Sequence, residues 1–333
     1  MHKICIKIVK IKKIEKNSKK YEKICKNLLT NEKEGYIICL VKKIMKFRYE
    51  KMKKILSVLM AALLLCGTLL TLASCGGSDE PVLKVIDIPL TDEKYAFCVQ
   101  PGNDELLSSL NAFLAASKTN GTFDDIVDNY FGNGTPVGYN MGAVGNRDNQ
   151  LVIATNTPFE PFEYTKGNQY YGIDIEMMAA FAAHLGKELV ILEMDFDAIF
   201  TAVNQGIADV GAAGITYDES REDTVTFSDT YYVASQVIIV NANDTTFDGC
   251  ETAEDVVAIL NAMGKDIKAG AQTGTTGELY IEGDDEFGFD GYNVTLETYN
   301  SGAMAVEDMI NGNINFVVLD EGPAKAIVNA KNN

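Results

Sequence analysis

After residue 150 the chain alternates between short apolar runs and stretches in which apolar residues recur every three to four positions. The apolar runs predict strands, and the 3.6-residue period predicts amphipathic helices. Strands that alternate with helices indicate an α/β fold whose mostly parallel sheets are covered on both faces. Strands are expected at residues 82–86, 95–99, 151–154, 188–193, 208–212, 236–240, 268–271 and 315–319, and helices at 174–186, around 199–203, at 253–263 and from 301 onward.

Two helices and a linker are expected before this alternation. Asn103 is expected to cap a helix that Gly121 ends, and Thr122 with Asp125 has the spacing of a capping box for a second helix. Residues 132–150 hold five Gly and four Asn with no sustained period, a composition typical of a linker.

Two segments repeat one pattern. Residues 202–214 and 308–320 both read as helix, turn, Ile-containing strand, and then a small or an acidic residue. In open α/β sheets, ligands bind beyond the carboxyl ends of the strands. Gly214 and Asp320 are therefore expected at the two lips of a cleft between two sheets.

The first eighty residues contain the pattern of an export signal. An uncharged stretch of 18 residues begins at Ile55 and follows several Lys, and the Leu-Ala-Ser-Cys-Gly sequence around Cys75 resembles a bacterial lipobox. Residues 52–74 are interpreted as a lipoprotein signal, Cys75 as the lipidated residue and 75–81 as a tether; a transmembrane helix is the alternative, because 18 apolar residues just span a bilayer. Residues 1–51 are interpreted as an upstream extension, either mistranslated or disordered.

Charge is distributed unevenly over the 333 residues. Residues 55–333 carry 11 basic and 42 acidic side chains, a net charge of −31. Such a body repels phosphate backbones, which excludes nucleic-acid binding as a function class. Only two His occur, and the Cys show no metal-ligand spacing, so no metal site and no cofactor are expected.

Several separated motifs carry a resemblance to a known family. They are IATNTPFEPFEY from residue 153, YYGIDIEMMAAFAAHLGKEL from 170, AGITYDESRE from 213 and VTFSDTYYVASQVIIV from 225. These resemble the first half of the solute-binding proteins of ABC importers for polar amino acids, the bacterial extracellular solute-binding proteins of family 3. AGAQTGTTGELY (269–280) and VVLDEGPAKA (317–326) resemble the second lobe of those proteins. The resemblance covers residues 82–333 and implies a periplasmic-binding-protein-like fold, with two βαβ lobes joined by two hinge strands, here at 236–240 and 95–99.

The order of the motifs is rotated relative to that family. Residues 84–132 resemble the segment that usually ends such proteins, and here they come first. The chain is interpreted as a circular permutant in which 132–150 joins the family's usual ends, an arrangement tolerated where old ends are close and new ends are exposed. A fragment of a tandem duplication is the alternative. The first lobe is expected to comprise 93–131 and 151–234, and the second 82–88 and 247–329.

The resemblance implies partners for the two charged groups of a free amino acid. Arg offers a planar fork that binds a carboxylate through two hydrogen bonds. Arg221 is implied as the α-carboxylate ligand, with Thr216 and the backbone of Gly214 assisting; an ordinary surface arginine is the alternative. Asp320 is implied as the acceptor for the α-ammonium, and helix capping is its alternative role.

The resemblance also implies a site for the ligand's side chain. Phe159 and Phe196 resemble the two aromatics that enclose it, although a lone Phe is more often a core residue. Asn156 falls where relatives often carry an acidic residue, so it argues against a cationic ligand. Thr275 and Thr276 belong to a Gly/Thr turn whose N–H groups could face a carboxylate at a helix start.

The function implied is that of a monomeric, lipid-anchored receptor on the outer face of the cell membrane. It would bind a polar amino acid by hinge closure and deliver it to an ABC importer permease. An enzyme of the cyclohexadienyl dehydratase type and a ligand-sensing protein are the alternatives on the same fold. The identity of the amino acid, its affinity and the importer do not follow from the sequence.

Overall fold

The computed structural model describes residues 82–333. The extension 1–51, the expected signal at 52–74, the lipidated Cys75 and the tether 75–81 lie outside the described residues. Within residues 82–333, none of the helices has both the length and the apolar character needed to span a bilayer.

Residues 82–333 form eight α-helices and fourteen strands, numbered here in chain order. The helices are α1 (Asp104–Asn120), α2 (Thr122–Phe131), α3 (Ile173–His184), α4 (Phe196–Asn204), α5 (Ala253–Ala262), α6 (Thr276–Glu282), α7 (Gly302–Ile310) and α8 (Glu321–Asn332). The strands are β1 (Leu83–Ile86), β2 (Glu93–Tyr95), β3 (Cys98–Val99), β4 (Gln150–Thr155), β5 (Tyr164–Lys166), β6 (Gln169–Tyr171), β7 (Glu188–Glu193), β8 (Val210–Gly211), β9 (Thr226–Phe227), β10 (Tyr232–Ala234), β11 (Gln236–Asn241), β12 (Lys268–Gln272), β13 (Thr295–Tyr299) and β14 (Phe316–Asp320).

The strands assemble into two five-stranded sheets, each the centre of one lobe. The first sheet has the order β7-β4-β8-β3-β9, and the second has the order β1-β11-β14-β12-β13. β4 runs parallel to β7 and β8, and β12 runs parallel to β13 and β14. Every residue of β4 and of β14 is buried, as expected for strands covered on both faces. The two-lobed α/β fold expected from the alternation of strands and helices is confirmed.

Two chain crossings connect the sheets, but not through the strands expected from the sequence. The segment 95–99 is divided into the end of β2 and the separate strand β3, and β11 lies wholly within the second sheet, paired with β1 and β14. The crossings instead pass through β2 and β10, which pair with each other as a two-stranded ribbon. The expectation for 236–240 was wrong because this apolar segment is buried on both faces inside a sheet.

Residues 132–150 run along the first lobe and are fixed to it by several contacts. The N–H of Val137 donates to Oε1 of Glu176 at 2.8 Å, and the N–H of Ile191 in β7 donates to the carbonyl of Met141 at 2.8 Å. Arg147 forms an ion pair with Asp209 at 2.7 Å. The segment therefore follows a defined path despite its linker composition.

The two ends of the described chain meet at the edge of the second sheet. Near the end of α8, Oδ1 of Asn332 accepts hydrogen bonds from the N–H groups of Val82 and Leu83 at 2.9 and 3.0 Å. Nδ2 of Asn332 donates to the carbonyl of Leu83 at 2.9 Å. β1 is therefore held both by pairing with β11 and by the last turn of α8.

Candidate functional site

A cavity lies between the two lobes, beyond the carboxyl ends of the central strands of both sheets. Asn156 directly follows β4, Gly214 follows β8 by three residues, and Asp320 ends β14. The cavity holds about 420 Å³ of empty space, a volume that includes the part open to solvent. All nine ligand-binding residues expected from the sequence line it: Asn156, Phe159, Phe196, Gly214, Thr216, Arg221, Thr275, Thr276 and Asp320.

Arg221 projects from the first lobe, from a 3₁₀ turn that spans Glu219–Arg221. Its guanidinium carbon lies 4.3 Å from the centroid of the Phe200 ring, and its Nη2 donates to the carbonyl of Gly274 in the other lobe at 2.7 Å. The side chain is 21% exposed and lines the cavity. Nε and Nη2 together use two of the five N–H donors, and the other three have no acceptor within residues 82–333.

Asp218 fixes the orientation of Arg221. Its Oδ2 lies 2.9 Å from Nε of Arg221, while its Oδ1 accepts hydrogen bonds from the N–H and the hydroxyl of Ser220 at 2.9 and 2.6 Å. Burial lowers the pKa of Arg221, and the charge of Asp218 opposes that shift. The turn therefore holds a charged fork in place before any ligand arrives, which reduces the entropy lost on binding.

Asp320 projects from the second lobe and is 6% exposed. It stands at the N-cap position of α8 but makes no capping hydrogen bond through its side chain, so the capping alternative does not explain it. Its Oδ1 accepts a hydrogen bond from the hydroxyl of Tyr95. Burial, followed by the charge of Glu93, raises the pKa of Asp320 to about 7. Arg221 is the single cationic side chain among those that line the cavity, as far as residues 82–333 are concerned.

Phe159 and Gly214 form one wall of the cavity. Gly214 has φ +52°, and a Cβ at this position would lie 2.6 Å from Cε1 of Phe159. A residue without a side chain is thus required for the ring to lie here. The N–H of Gly214 donates to Oδ2 of Asp174 at 2.9 Å, and the hydroxyl of Thr216 donates to Oε2 of Glu93 at 2.6 Å. The N–H of Gly214 is thus engaged by Asp174, and the expected role of the Gly214 backbone toward a ligand stays a prediction.

Asn156 and Gln272 connect the two lobes across the cavity. Nε2 of Gln272 donates to Oδ1 of Asn156 at 2.7 Å, and Nδ2 of Asn156 donates to the carbonyl of Met194 at 2.7 Å. The amide of Asn156 is therefore engaged in the contact between lobes. Thr275 takes the N-cap position of α6, with its hydroxyl donating to the carbonyl of Gln272 at 2.8 Å, and Thr276 is the first helical residue.

Comparison with known protein families gives one match. The family model of the bacterial extracellular solute-binding proteins, family 3, matches residues 151–287. The chain belongs to this family. The matched region includes Arg221 and both threonines of the α6 turn, whereas Asp320 lies beyond it.

Individual relatives of this family 3 chain match over part of their length. The arginine-binding extracellular protein ArtP of Bacillus subtilis is 34% identical over 90 residues, which are 27% of this chain and 35% of that protein. A protein of Neisseria gonorrhoeae named "Probable histidine-binding protein" is 27% identical over 173 residues, 50% of this chain and 58% of that protein. The chain thus spans from about a third to under two thirds of the length of these relatives. A crystal structure of an amino acid ABC transporter substrate-binding protein from Streptococcus pneumoniae, bound to L-arginine, is 32% identical with a TM-score of 0.47, and the match covers 54% of this chain and 71% of that one.

Several residues of this family 3 cleft were not expected from the sequence. Asp218 could have been found from its position three residues before Arg221. Glu163, Gln272 and Phe287 also line the cavity, and no local pattern distinguishes them. Across the described range 82–333, no group of three or more His, Cys, Asp or Glu side chains is arranged to hold a metal ion.

Proposed function

We propose that this family 3 protein is a lipid-anchored extracytoplasmic receptor that binds a free polar amino acid in the cleft and delivers it to an ABC importer. The family description supports an extracellular solute-binding role. The lipid anchor, the amino-acid ligand, the importer and action as a monomer are parts of the proposal.

One observation carries the proposal: an oriented guanidinium and a buried carboxyl group face one cavity from opposite lobes. Arg221 belongs to the first lobe and Asp320 to the second. A free amino acid carries a carboxylate and an ammonium on one carbon atom, so it can satisfy both groups at once. Each charge, left without a partner in a closed cleft, is costly.

The same arrangement accounts for closure. Contacts such as Arg221 to Gly274 and Gln272 to Asn156 exist only when the lobes are together. A ligand that contacts both lobes adds binding energy to the closed state alone and shifts the population toward it. The ribbon of β2 and β10 is the segment about which the lobes would rotate.

A thermal-shift screen of the full-length chain against the twenty amino acids tests the function. At a hundredfold excess over Kd, a ligand that binds the folded state adds about 2.7 kcal/mol of stability. We expect a clear rise in Tm with one amino acid or one small chemical group of them, and recovery of that amino acid unchanged after incubation. No shift with any of the twenty would contradict the proposal, and conversion of the ligand would favour an enzyme.

Lipid anchoring predicts that Cys75→Ala releases the protein from membranes. An acidic body gains nothing from anionic lipid headgroups, so attachment has to come from an acyl chain. Fractionation of cells that express either form measures this, with Cys250→Ala as the matched control. A Cys75→Ala protein that stays in the membrane pellet would indicate that the apolar stretch from Ile55 spans the bilayer.

We also propose that the order of segments is circularly permuted. The contacts of Asn332 with Val82 and Leu83 support the proposal, because they bring together the two ends that the family's usual order would join. A rearranged chain with residues 52–81 placed before Asn146, and with Asn333 joined to Val82 by a short Gly/Ser linker, is expected to fold and to keep its ligand affinity within about threefold, under 1 kcal/mol. Failure of the rearranged chain to fold would contradict permutation.

A further inference from the structure

Glu163 is a buried carboxyl group in the cleft whose oxygens have no partner. The residue is 1% exposed and lines the same cavity as Arg221 and Asp320. Neither Oε1 nor Oε2 has a hydrogen-bond donor within reach in the part of the chain that the structure describes.

Other buried carboxyl groups of the first lobe and hinge are provided with donors. Asp174 accepts from the N–H of Gly214 at 2.9 Å and from the hydroxyl of Tyr231 at 2.6 Å. Glu93 accepts from the hydroxyls of Thr91 and Thr216 and from the amide of Gln236. Glu176 accepts from the hydroxyl of Tyr130 at 2.6 Å and from two N–H donors, those of Asn129 and Val137. Glu163 alone among these faces the cavity without a donor, and buried polar groups are otherwise almost always paired.

The two carboxyl groups near Glu163 disfavour its negative charge, and the hydroxyl of Tyr231 near it donates to Asp174. Asp174 approaches it from α3, Asp320 approaches it from the end of β14, and the Tyr231 hydroxyl is near it at the end of the connection between β9 and β10. Burial first, and then the charges of Asp174 and Asp320, raise the pKa of Glu163 well above its usual value. An isolated buried carboxylate is costly, and a proton or a bound cation is what relieves that cost.

We propose that Glu163 is a second ammonium-binding carboxyl group of the cleft: it holds a proton when no ligand is bound and releases that proton to solvent when the ligand's ammonium binds beside Asp320. This inference rests on the proposed amino-acid function and deepens it. The O–H bond of Glu163 breaks, the proton passes to the buffer, and the ammonium N–H groups donate to the carboxylate that is left. One positive charge replaces another, so the charge of the site is conserved.

The consequence is a link between ligand binding and pH. Where one proton leaves for each ligand bound, the apparent affinity rises about tenfold for each pH unit. Burial raises the pKa of both carboxyl groups, so Asp320 can also release a proton at a pH below its pKa of about 7. A measurement at about pH 8 reduces the contribution of Asp320, and the difference in proton release between the wild type and Glu163→Gln then reports on Glu163.

The test is isothermal titration calorimetry of the full-length chain at about pH 8, in two buffers that differ in ionisation enthalpy. L-arginine and L-glutamine are the probes, together with the amino acid that gives the largest thermal shift. We expect the wild type to release up to one proton for each amino acid bound, and clearly more than Glu163→Gln releases. Glu160→Gln, which changes an exposed carboxyl group three residues away, is the matched control and should release as many protons as the wild type.

Two further measurements distinguish ammonium binding by Glu163 from a purely structural role of this residue. Glu163→Gln keeps the size and the neutral state expected for the free cleft, so its Tm without ligand should match that of the wild type. The α-hydroxy acid analogue of the best probe lacks the ammonium and should release no proton from either protein.

The outcomes distinguish this inference from the function on which it rests. Wild-type protein that binds an amino acid without releasing a proton at about pH 8 overturns the role of Glu163 and leaves the receptor function intact, whether or not the variant folds. Equal proton release by wild type and Glu163→Gln has the same meaning. Wild-type protein that binds none of the amino acids overturns both.

Discussion

Arg221→Ala is expected to weaken amino-acid binding by about a hundredfold to several thousandfold. The ligand's carboxylate leaves water when the lobes close, and the substitution leaves it buried without its cation. Breaking a buried ion pair in this way costs on the order of 3 to 5 kcal/mol, and each 1.4 kcal/mol is a factor of ten in Kd. Calorimetry with the best ligand from the screen measures the change directly.

Arg147 supplies the matched control, because Arg147 and Arg221 are the two arginines of the described chain. Arg147 pairs with Asp209 at the surface of the first lobe, away from the cleft. Arg147→Ala should therefore leave Kd within about threefold of the wild type. Arg221→Lys should bind poorly, since a single ammonium cannot reproduce the two-point geometry or the stacking on Phe200. An Arg221→Ala protein with an unchanged Kd would mean that the ligand's carboxylate lies elsewhere.

Asp320→Asn is expected to weaken binding to a similar degree and to stabilise the ligand-free protein at alkaline pH. The substitution keeps the acceptor for the Tyr95 hydroxyl but removes the charge that pairs with the ammonium. The pKa of Asp320 is about 7 in the folded chain and about 3.9 in an unfolded one. Between these two pKa values the folded state binds more protons than the unfolded state. The free energy of unfolding of the wild type therefore falls as pH rises from about 4 to 7. The Asp320→Asn protein has no group that titrates at this position, so its stability does not fall for this reason.

Thermal unfolding at about pH 5 and pH 8, in high salt to screen surface repulsion, checks the stability part of this prediction. Asp248→Asn is the control, because Asp248 is an exposed residue paired with Lys84 and should change neither quantity appreciably. An Asp320→Asn protein that binds as tightly as the wild type would remove Asp320 from the ammonium site.

The ends of the first helix could be predicted from the sequence, because interactions between residues close together in the chain determine them. Asn103 caps α1, and Gly121 ends it with φ +86°, both as expected. The capping box expected at Thr122 was wrong: Gly121 also serves as the N-cap of α2, which leaves no room for a capping side chain between the helices. A capping box occurs instead at Thr252 and Asp255, at the start of α5.

Elements that depend on distant partners were not visible in the sequence. β13 has no strong apolar run, and it is a strand because β12 pairs with it along five residues. The short hairpin of β5 and β6 is largely exposed on β5 and was missed for the same reason. The crossings through β2 and β10 depend on which strand each segment pairs with, and local propensity does not encode this.

In the candidate site, too, features set by nearby residues could be predicted from the sequence, and features set by distant residues could not. Residues at the ends of predicted strands, Gly214 and Asp320, could be placed at the cleft because the carboxyl ends of parallel strands meet at one edge. The N–H of Gly214 donates to Asp174, which lies 40 residues away in the sequence, and the amide of Asn156 accepts from Gln272, which lies 116 residues away. The state of Glu163 likewise follows from the absence of donors on several separate elements within the described chain, which no local motif reveals.

The most direct test of the account is a crystal structure of the protein with the amino acid that gives the largest thermal shift. We expect the α-carboxylate within hydrogen-bond distance, about 2.7 to 3.2 Å, of the Arg221 guanidinium, and the α-nitrogen at the same range from Asp320. A ligand bound outside this cleft, or one with its nitrogen turned toward Arg221, would contradict it.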